Sequence, residues 1–186
     1  TIFGLASITK TFTALTLLSL VDQGKVDLSA PLAQYVKGLP DEYKGLTIRQ
    51  LASMSAGVPS NVPREIVWKE QIKALKEMPL VSEPGTNYLY SNYSYRLLGT
   101  VIANVTGKDY LQVVQETILA PLGMTSSGTA PALWGTGRVA APYNDQMGRG
   151  PLRLIEYKNP DVQYSAGMLA SSMEEMTRYV QGLLSG

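Results

Sequence analysis

The most informative segment of the chain is FGLASITKTFTAL, residues 3–15, in which a serine and a lysine open an apolar run. Ser7 and Lys10 are three positions apart, so on a helix they share a face, with their Cβ atoms about 5–6 Å apart. A lysine so placed can take the serine's proton if its amine is neutral part of the time. Negative charge is also stabilised at a helix start. The apolar spacing predicts a helix from about Ser7 to Asp22.

The spacing by itself is weak evidence for a catalytic pair. In a chain with this content of serine and lysine, about one such pair is expected by chance. The alternative interpretation is a serine that caps a helix, followed by a solvated lysine. Only the surrounding sequence can decide between the two.

Composition limits the possible chemistry. The chain has 186 residues, of which 45% are hydrophobic and 17% charged, a balance that is typical of a globular protein. We therefore predict a single domain over residues 1–186. Sixteen basic and fifteen acidic side chains nearly cancel, so no nucleic-acid partner is expected. Cysteine and histidine are both absent, which excludes a Ser-His-Asp triad and zinc held by these residues. No cofactor or metal is predicted.

A second candidate element is Tyr90-Ser91-Asn92, within PGTNYLYSNYSYRLLG, residues 84–99. The same Tyr-x-Asn spacing recurs at Tyr157-Lys158-Asn159, where loop residues surround it, and we treat that pair as a decoy. The alternative for Tyr90 is an ordinary buried aromatic. A phenol with a pKa near 10 needs a nearby ammonium to act as a base at neutral pH, and Lys10 is the candidate.

Five segments in the same order resemble the serine β-lactamase and penicillin-binding-protein superfamily, in its class C β-lactamase and related esterase branch. They are FGLASITKTFTAL (3–15), GLTIRQLASMSAGVP (45–59), PGTNYLYSNYSYRLLG (84–99), ILAPLGMTSS (118–127) and YSAGMLASSMEEMTRYVQGLL (164–184). One departure is Met54, where such families commonly place a histidine; we interpret that position as packing. Class A enzymes would show Ser-Asp-Asn in place of residues 90–92, which disfavours that class.

The resemblance implies a serine hydrolase that forms an acyl-enzyme on a β-lactam, an ester or a peptidoglycan peptide. In this reading Ser7 is acylated, Lys10 and Tyr90 handle protons, and Asn92 holds the substrate's amide or the lysine. Family resemblance also suggests an extracytoplasmic location. Two alternatives remain: a catalytically impaired module of the same lineage that binds penicillin or a partner, and a helical domain whose polar residues only cap helices.

The family's third motif, Lys-Thr-Gly or His-x-Gly on an edge strand, has no credible copy here; residues 134–137 offer Gly-Thr-Gly without the leading cation. The strands that precede the nucleophile helix are missing as well, and TIFGLAS reads like the middle of a domain. The resemblance therefore predicts a mainly α chain, the helical region of an α/β fold with most of the sheet absent. A second copy or a complementing chain would cover the exposed sheet-facing surface.

Other elements follow from local signals. Helices are predicted over 63–78, with Ile66, Ile72 and Leu75 inward, up to Gly107, over 110–119, and from Ser172 to Leu184. Capping boxes are predicted at Thr47 with Gln50 and at Ser172 with Glu175. Short strands are predicted around Val139 and Leu154.

Overall fold

The computed structural model describes residues 1–60, 70–129, 133, 137–141, 143–144, 153–154 and 164–185. Helix dominates these ranges, as predicted. In chain order the α-helices are α1 (Thr9–Asp22), α2 (Asp41–Lys44), α3 (Ile48–Ala52), α4 (Gln71–Ala74), α5 (Asn92–Thr106), α6 (Tyr110–Val114), α7 (Tyr164–Gly167) and α8 (Met173–Ser185). Short 3₁₀ turns cover Ala6–Ile8, Leu32–Gln34 and Leu75–Glu77, and a π-helical turn covers Gln115–Leu119.

The strands are short and form two small antiparallel sheets. They are β1 (Ile2–Gly4), β2 (Gly128–Thr129), β3 (Tyr143–Asn144), β4 (Arg153–Leu154) and β5 (Leu169–Ser172). The larger sheet has the order β1-β5-β2, with Ile2 opposite Ser172, and β3 pairs with β4. Val139 forms a parallel bridge to Ile2. Short extended segments therefore occur at both predicted places, around Val139 and Leu154.

Helix α5 is the centre of the fold. It packs against α1, α3, α6 and α7, and its residues Leu97, Leu98, Val101 and Ile102 are fully buried. Its start is capped by Ser91, whose side chain accepts a hydrogen bond from the Ser94 N–H at 3.1 Å. It ends at Gly107, which takes the left-handed conformation with φ 66°. The predicted end of this helix is confirmed.

The start of α1 differs from the prediction. Ser7 lies in a 3₁₀ turn, and the α-helix begins two residues later at Thr9. The reason is that β1 pairs with β5, and the Leu5 N–H still donates to the Leu169 carbonyl at 2.7 Å. Ala6, with φ 46°, turns the chain from this strand into the helix. The tight turn fits between strand and helix and holds Ser7 at the surface.

The helix predicted over 63–78 is met in part. Of the helix predicted over 63–78, the described portion consists of α4 and the 3₁₀ turn after it, and Ile66 lies outside the described residues. The decoy pair at residues 157–159 and most of residues 134–137 also lie outside them.

The two predicted capping boxes have different outcomes. Both hydrogen bonds of the box at Thr47 and Gln50 are present. At the start of α8 only half of the box forms: the Glu175 N–H donates to Ser172 Oγ at 3.3 Å. The Glu175 carboxylate instead accepts hydrogen bonds from the Ser126 N–H at 2.7 Å and the Ser127 hydroxyl at 2.6 Å. Glu175 therefore ties α8 to the segment before β2.

No helix within the described ranges is both long enough and apolar enough to cross a bilayer.

Candidate active site

The predicted site residues come from three parts of the chain that the fold brings together. Ser7 is in the 3₁₀ turn, and Lys10 is in the first turn of α1. Tyr90 lies in the loop before α5, and Asn92 is the first residue of that helix. Helix α5 packs against α1, so its capped N-terminus places Tyr90 and Asn92 beside Ser7 and Lys10.

Hydrogen bonds connect the side chains of all four residues. Ser7 Oγ lies 2.6 Å from the Tyr90 hydroxyl oxygen. The Lys10 ammonium donates to Ser7 Oγ at 3.1 Å and to Asn92 Oδ1 at 2.7 Å. The structure thus brings together every residue that the sequence predicted for the site, although their catalytic roles stay predictions.

Lys10 sits below the serine in a largely enclosed position, with 5% of its surface exposed. Its third acceptor is the main-chain carbonyl of Ala166 in α7, at 2.7 Å. The ammonium also lies 4.9 Å from the ring centroid of Tyr90 and 5.8 Å from that of Tyr95. Burial lowers the pKa of Lys10, and interaction with Tyr90 opposes part of that lowering. The amine therefore gives up a proton more readily than an exposed lysine.

Tyr90 is the more accessible of the two proton-transfer candidates, with 40% of its surface exposed. Burial alone would raise the pKa of its phenol, but hydrogen bonding to Lys10 and Ser7 and the charge of Lys10 outweigh burial, so the pKa falls below its ordinary value. A phenolate next to an ammonium is a suitable acceptor for a serine proton. The geometry therefore favours transfer of the Ser7 proton to Tyr90, with the positive charge of Lys10 stabilising the phenolate.

The exposure of Ser7 suits a nucleophile. Ser7 is exposed, whereas Thr9 and Lys10 directly after it are buried. The turn that holds Ser7 runs into the N-terminus of the 14-residue helix α1, where the helix dipole stabilises negative charge. An oxyanion formed on a substrate carbonyl at Ser7 would lie in this favourable field.

Sequence reasoning missed two components of the site. The Ala166 carbonyl holds Lys10, but every residue carries a carbonyl, so no side-chain pattern could reveal it. The second is the ring of Tyr95, which faces Lys10 and is one turn along α5 from Asn92. At Met54 the side chain is buried and its sulfur accepts a hydrogen bond from the Tyr88 hydroxyl at 3.5 Å, as expected of a packing position.

The described residues contain no group of three Asp, Glu, Cys or His side chains arranged to hold a metal ion.

The family model described as Beta-lactamase matches residues 1–186. The chain belongs to the β-lactamase family. Its fold agrees with that membership, because solved penicillin-binding-protein-like structures superimpose on the chain along nearly its whole length.

Three proteins illustrate the similarity. Protein flp of Staphylococcus aureus is 32% identical over 134 residues, which is 66% of this chain and 27% of that protein. The octameric penicillin-binding protein homologue from Pyrococcus abyssi superimposes with a TM-score of 0.82 at 29% identity, covering 97% of this chain and 44% of that one. D-amino acid amidase from Ochrobactrum anthropi gives a TM-score of 0.80 at 26% identity, covering 100% and 56%. This β-lactamase-family chain thus spans less than two thirds of each of these proteins.

Proposed function

We propose that this chain carries the nucleophile and proton-transfer groups of a serine hydrolase that acts through an acyl-enzyme. The observation that supports the proposal most strongly is the hydrogen-bonded set of Tyr90, Lys10 and Asn92 around the exposed Ser7. Residues that only cap helices or fill the core are not expected to converge on an exposed serine. The substrate class we propose is a β-lactam, an ester or a D-peptide carbonyl.

The proposed reaction has two balanced stages. In the first, Ser7 Oγ bonds to the substrate's carbonyl carbon and its proton passes to the Tyr90 oxygen. The tetrahedral intermediate then collapses, the carbonyl–leaving-group bond breaks, and the proton passes from Tyr90 to the departing nitrogen or oxygen. In the second stage the oxygen of a water bonds to the acyl carbon while a water proton passes to Tyr90. The bond between the acyl carbon and Ser7 Oγ then breaks, Ser7 Oγ takes the proton from Tyr90, and the acid is released. Throughout, the Lys10 ammonium stabilises the phenolate, and Asn92 holds Lys10.

Intact-mass measurement tests this proposal. The chain is incubated with a β-lactam and separately with an activated ester, and Ser7→Ala serves as the matched control. We expect a mass increase that equals the acyl group and that disappears in Ser7→Ala. An adduct that turns over identifies a hydrolase, whereas a lasting one identifies a penicillin-binding module of the same lineage. An adduct that survives in Ser7→Ala, or none with either reagent, contradicts the proposal.

We also propose that another chain covers the apolar surface formed by α1 and α8. The apolar side chains of Leu18, Val180, Leu183 and Leu184 on these helices are between 45% and 83% exposed. Beside them a groove of about 390 Å³ is lined by Leu15, Leu122, Tyr179 and Leu183, among others. Exposed apolar surface of this kind is typical of a protein interface. The covering chain is either a second copy or a complementing one, and the solution mass distinguishes the two.

A further inference from the structure

The contact of Lys10 with α7 lies outside the motifs that define the site. Of the three acceptors of Lys10, Ser7 changes its covalent state during acylation, and Asn92 is only half-buried. The Ala166 carbonyl is buried and stays unchanged through the reaction. It is therefore the fixed reference point that holds the Lys10 ammonium in one position while Ser7 reacts.

Helix α7 cannot set its own position. It has four residues, a single turn, and isolated turns of this length are not stable in water. It packs against both α5 and α1. Two hydrogen bonds tie its backbone to α1: the Thr13 hydroxyl donates to the Ser165 carbonyl at 2.6 Å, and the Leu169 N–H just beyond α7 donates to Thr9 Oγ1 at 3.1 Å. The face of α1 that carries Lys10 thus also holds the backbone that receives the Lys10 ammonium.

The hydrogen bonds around Thr13 have a single possible direction. Thr13 Oγ1 lies 2.6 Å from the Ser165 carbonyl oxygen, 3.4 Å from the Thr9 carbonyl oxygen and 2.6 Å from the Tyr110 hydroxyl oxygen. Both carbonyls only accept, so the one hydroxyl proton of Thr13 goes to a carbonyl, and Ser165 is much the nearer. Tyr110 must then be the donor to Thr13. The chain runs from Tyr110 through Thr13 to the Ser165 carbonyl, next to the Ala166 carbonyl that holds Lys10.

Tyr110 is suited to act as a permanent donor. It is 1% exposed, and burial raises the pKa of its phenol, so the proton stays in place at any pH at which the protein would work. Its ring also packs edge-to-face on Tyr164 in α7, with the centroids 5.4 Å apart. Tyr110 therefore contacts α7 through its ring and supports it through its hydroxyl, from the start of α6.

We propose that Tyr110 is a positioning residue for Lys10, acting through the Thr13 hydroxyl and the Ser165–Ala166 backbone. This inference deepens the proposed function and rests on it. Without the Tyr110 proton, Thr13 loses its donor and the cooperative strengthening of its bond to Ser165. The α7 turn relaxes, and the Ala166 carbonyl moves away from the Lys10 ammonium.

The expected consequence is a shift in the titration of Lys10. The groups that face Lys10 from the packed elements are Ser7 beside it, Tyr90 and Asn92 with Tyr95 on α5, and the Ala166 carbonyl. Within the described part of the chain, Tyr90 is the titratable group whose charge acts on Lys10. A weaker carbonyl contact disfavours the ammonium, so the Lys10 pKa falls further.

Two measurements on the whole chain test the inference. The first is NMR titration of isotope-labelled lysines, with Lys10 assigned through Lys10→Arg. The second is the rate of Ser7 acylation by an activated ester as a function of pH. The test variants are Tyr110→Phe and Thr13→Val, and Thr13→Ser keeps the hydroxyl as a rescue. The matched control is Tyr43→Phe, which removes one buried tyrosine hydroxyl donating to the Met78 carbonyl, away from the site.

We expect Tyr110→Phe and Thr13→Val to lower the Lys10 pKa and to slow acylation about threefold to tenfold, with Thr13→Ser and Tyr43→Phe near the parent. An unchanged Lys10 pKa in both test variants overturns the inference, as does an equal shift in Tyr43→Phe. If the parent chain is not acylated, the proposed function fails, and the NMR titration still decides whether Tyr110 positions Lys10. If either test variant does not fold, the other gives the result.

Discussion

At the scale of single residues, the backbone before Ser7 is under strain. Ala6 has φ 46°, in the left-handed region that glycine adopts freely and β-branched residues strongly avoid. Its side chain is exposed, so a substitution there acts through the backbone and not through packing.

We predict that Ala6→Val lowers the free energy of unfolding by about 1–3 kcal/mol, whereas Ala6→Gly leaves it unchanged or raises it by up to about 1 kcal/mol. Urea denaturation measures both. The control is Ala120→Val, at an exposed position with φ −66°, where the cost should be a few tenths of a kcal/mol. Equal costs for valine at the two positions would show that Ala6 is unstrained in solution.

The pH dependence of acylation also belongs to the residue scale. Because Lys10 and Ser7 lower the pKa of Tyr90, the phenolate forms at a lower pH than in an exposed tyrosine. Acylation should therefore rise as the pH increases toward this lowered pKa, and it should fall again at higher pH where the Lys10 ammonium loses its proton.

Tyr90→Phe should remove the rising limb and reduce the acylation rate by about 10²–10⁴-fold. Stopped-flow acylation over a pH series gives this profile. Tyr88→Phe is the control, since Tyr88 is two residues away and 71% exposed. If the rising limb of the pH profile persists in Tyr90→Phe, Lys10 and not Tyr90 is the base.

At the scale of elements, the N-terminus of α5 connects stability to the site. Ser91 is 1% exposed; its hydroxyl accepts from the Ser94 N–H and donates to the Pro59 carbonyl at 3.2 Å. Asn92, which contacts Lys10, follows directly. Fraying at this end of the helix would therefore lower the free energy of unfolding and weaken the hydrogen bond between Asn92 and Lys10.

We predict that Ser91→Ala costs about 1–2 kcal/mol in the free energy of unfolding and slows acylation severalfold. Thr47→Ala at the cap of α3 should have a similar stability cost and an unchanged acylation rate, because Thr47 caps a helix that does not supply a site residue. Thermal denaturation and ester acylation, measured on both variants, separate the two effects. Equal acylation rates in the two variants would show that the cap acts only on stability.

At the scale of the whole molecule, the layer of helices has an uncovered side. Leu18 on α1 is 45% exposed and Leu183 on α8 is 48% exposed, beside the groove between these helices. Exposed apolar side chains grouped in this way are typical of an interaction surface, which supports the proposal that another chain covers them.

We expect the sedimentation coefficient to rise with concentration if a second copy covers this surface, and Leu18→Lys with Leu183→Lys to abolish the rise. Val81→Lys, an exposed apolar position outside α1 and α8, is the control. A monomer at all concentrations would favour a complementing chain. To detect such a chain, the parts of a related full-length protein that this chain does not match are produced separately and tested for co-purification with it. A monomer that binds no such chain would contradict both forms of the proposal.

Much of the fold and the site followed from the sequence alone. The apolar spacing of residues 92–106 and the glycine after them determine α5 and its end, because both depend on residues that are close together in the sequence. The family membership and the identities of Ser7, Lys10, Tyr90 and Asn92 follow from ordered motifs. Side-chain types at fixed spacings carry that information without reference to the fold.

Features that depend on main-chain groups far away in the sequence became visible only in the folded structure. The residues of β5 lie 166 to 170 positions after their partners in β1, and this pairing leaves Ser7 in a 3₁₀ turn instead of at the start of the α-helix. The Ala166 carbonyl reaches Lys10, and Glu175 leaves its own capping box for the Ser126 N–H. Carbonyl and N–H groups are present at every residue, so the sequence does not reveal which of them a buried side chain will meet; that is set by packing across the core.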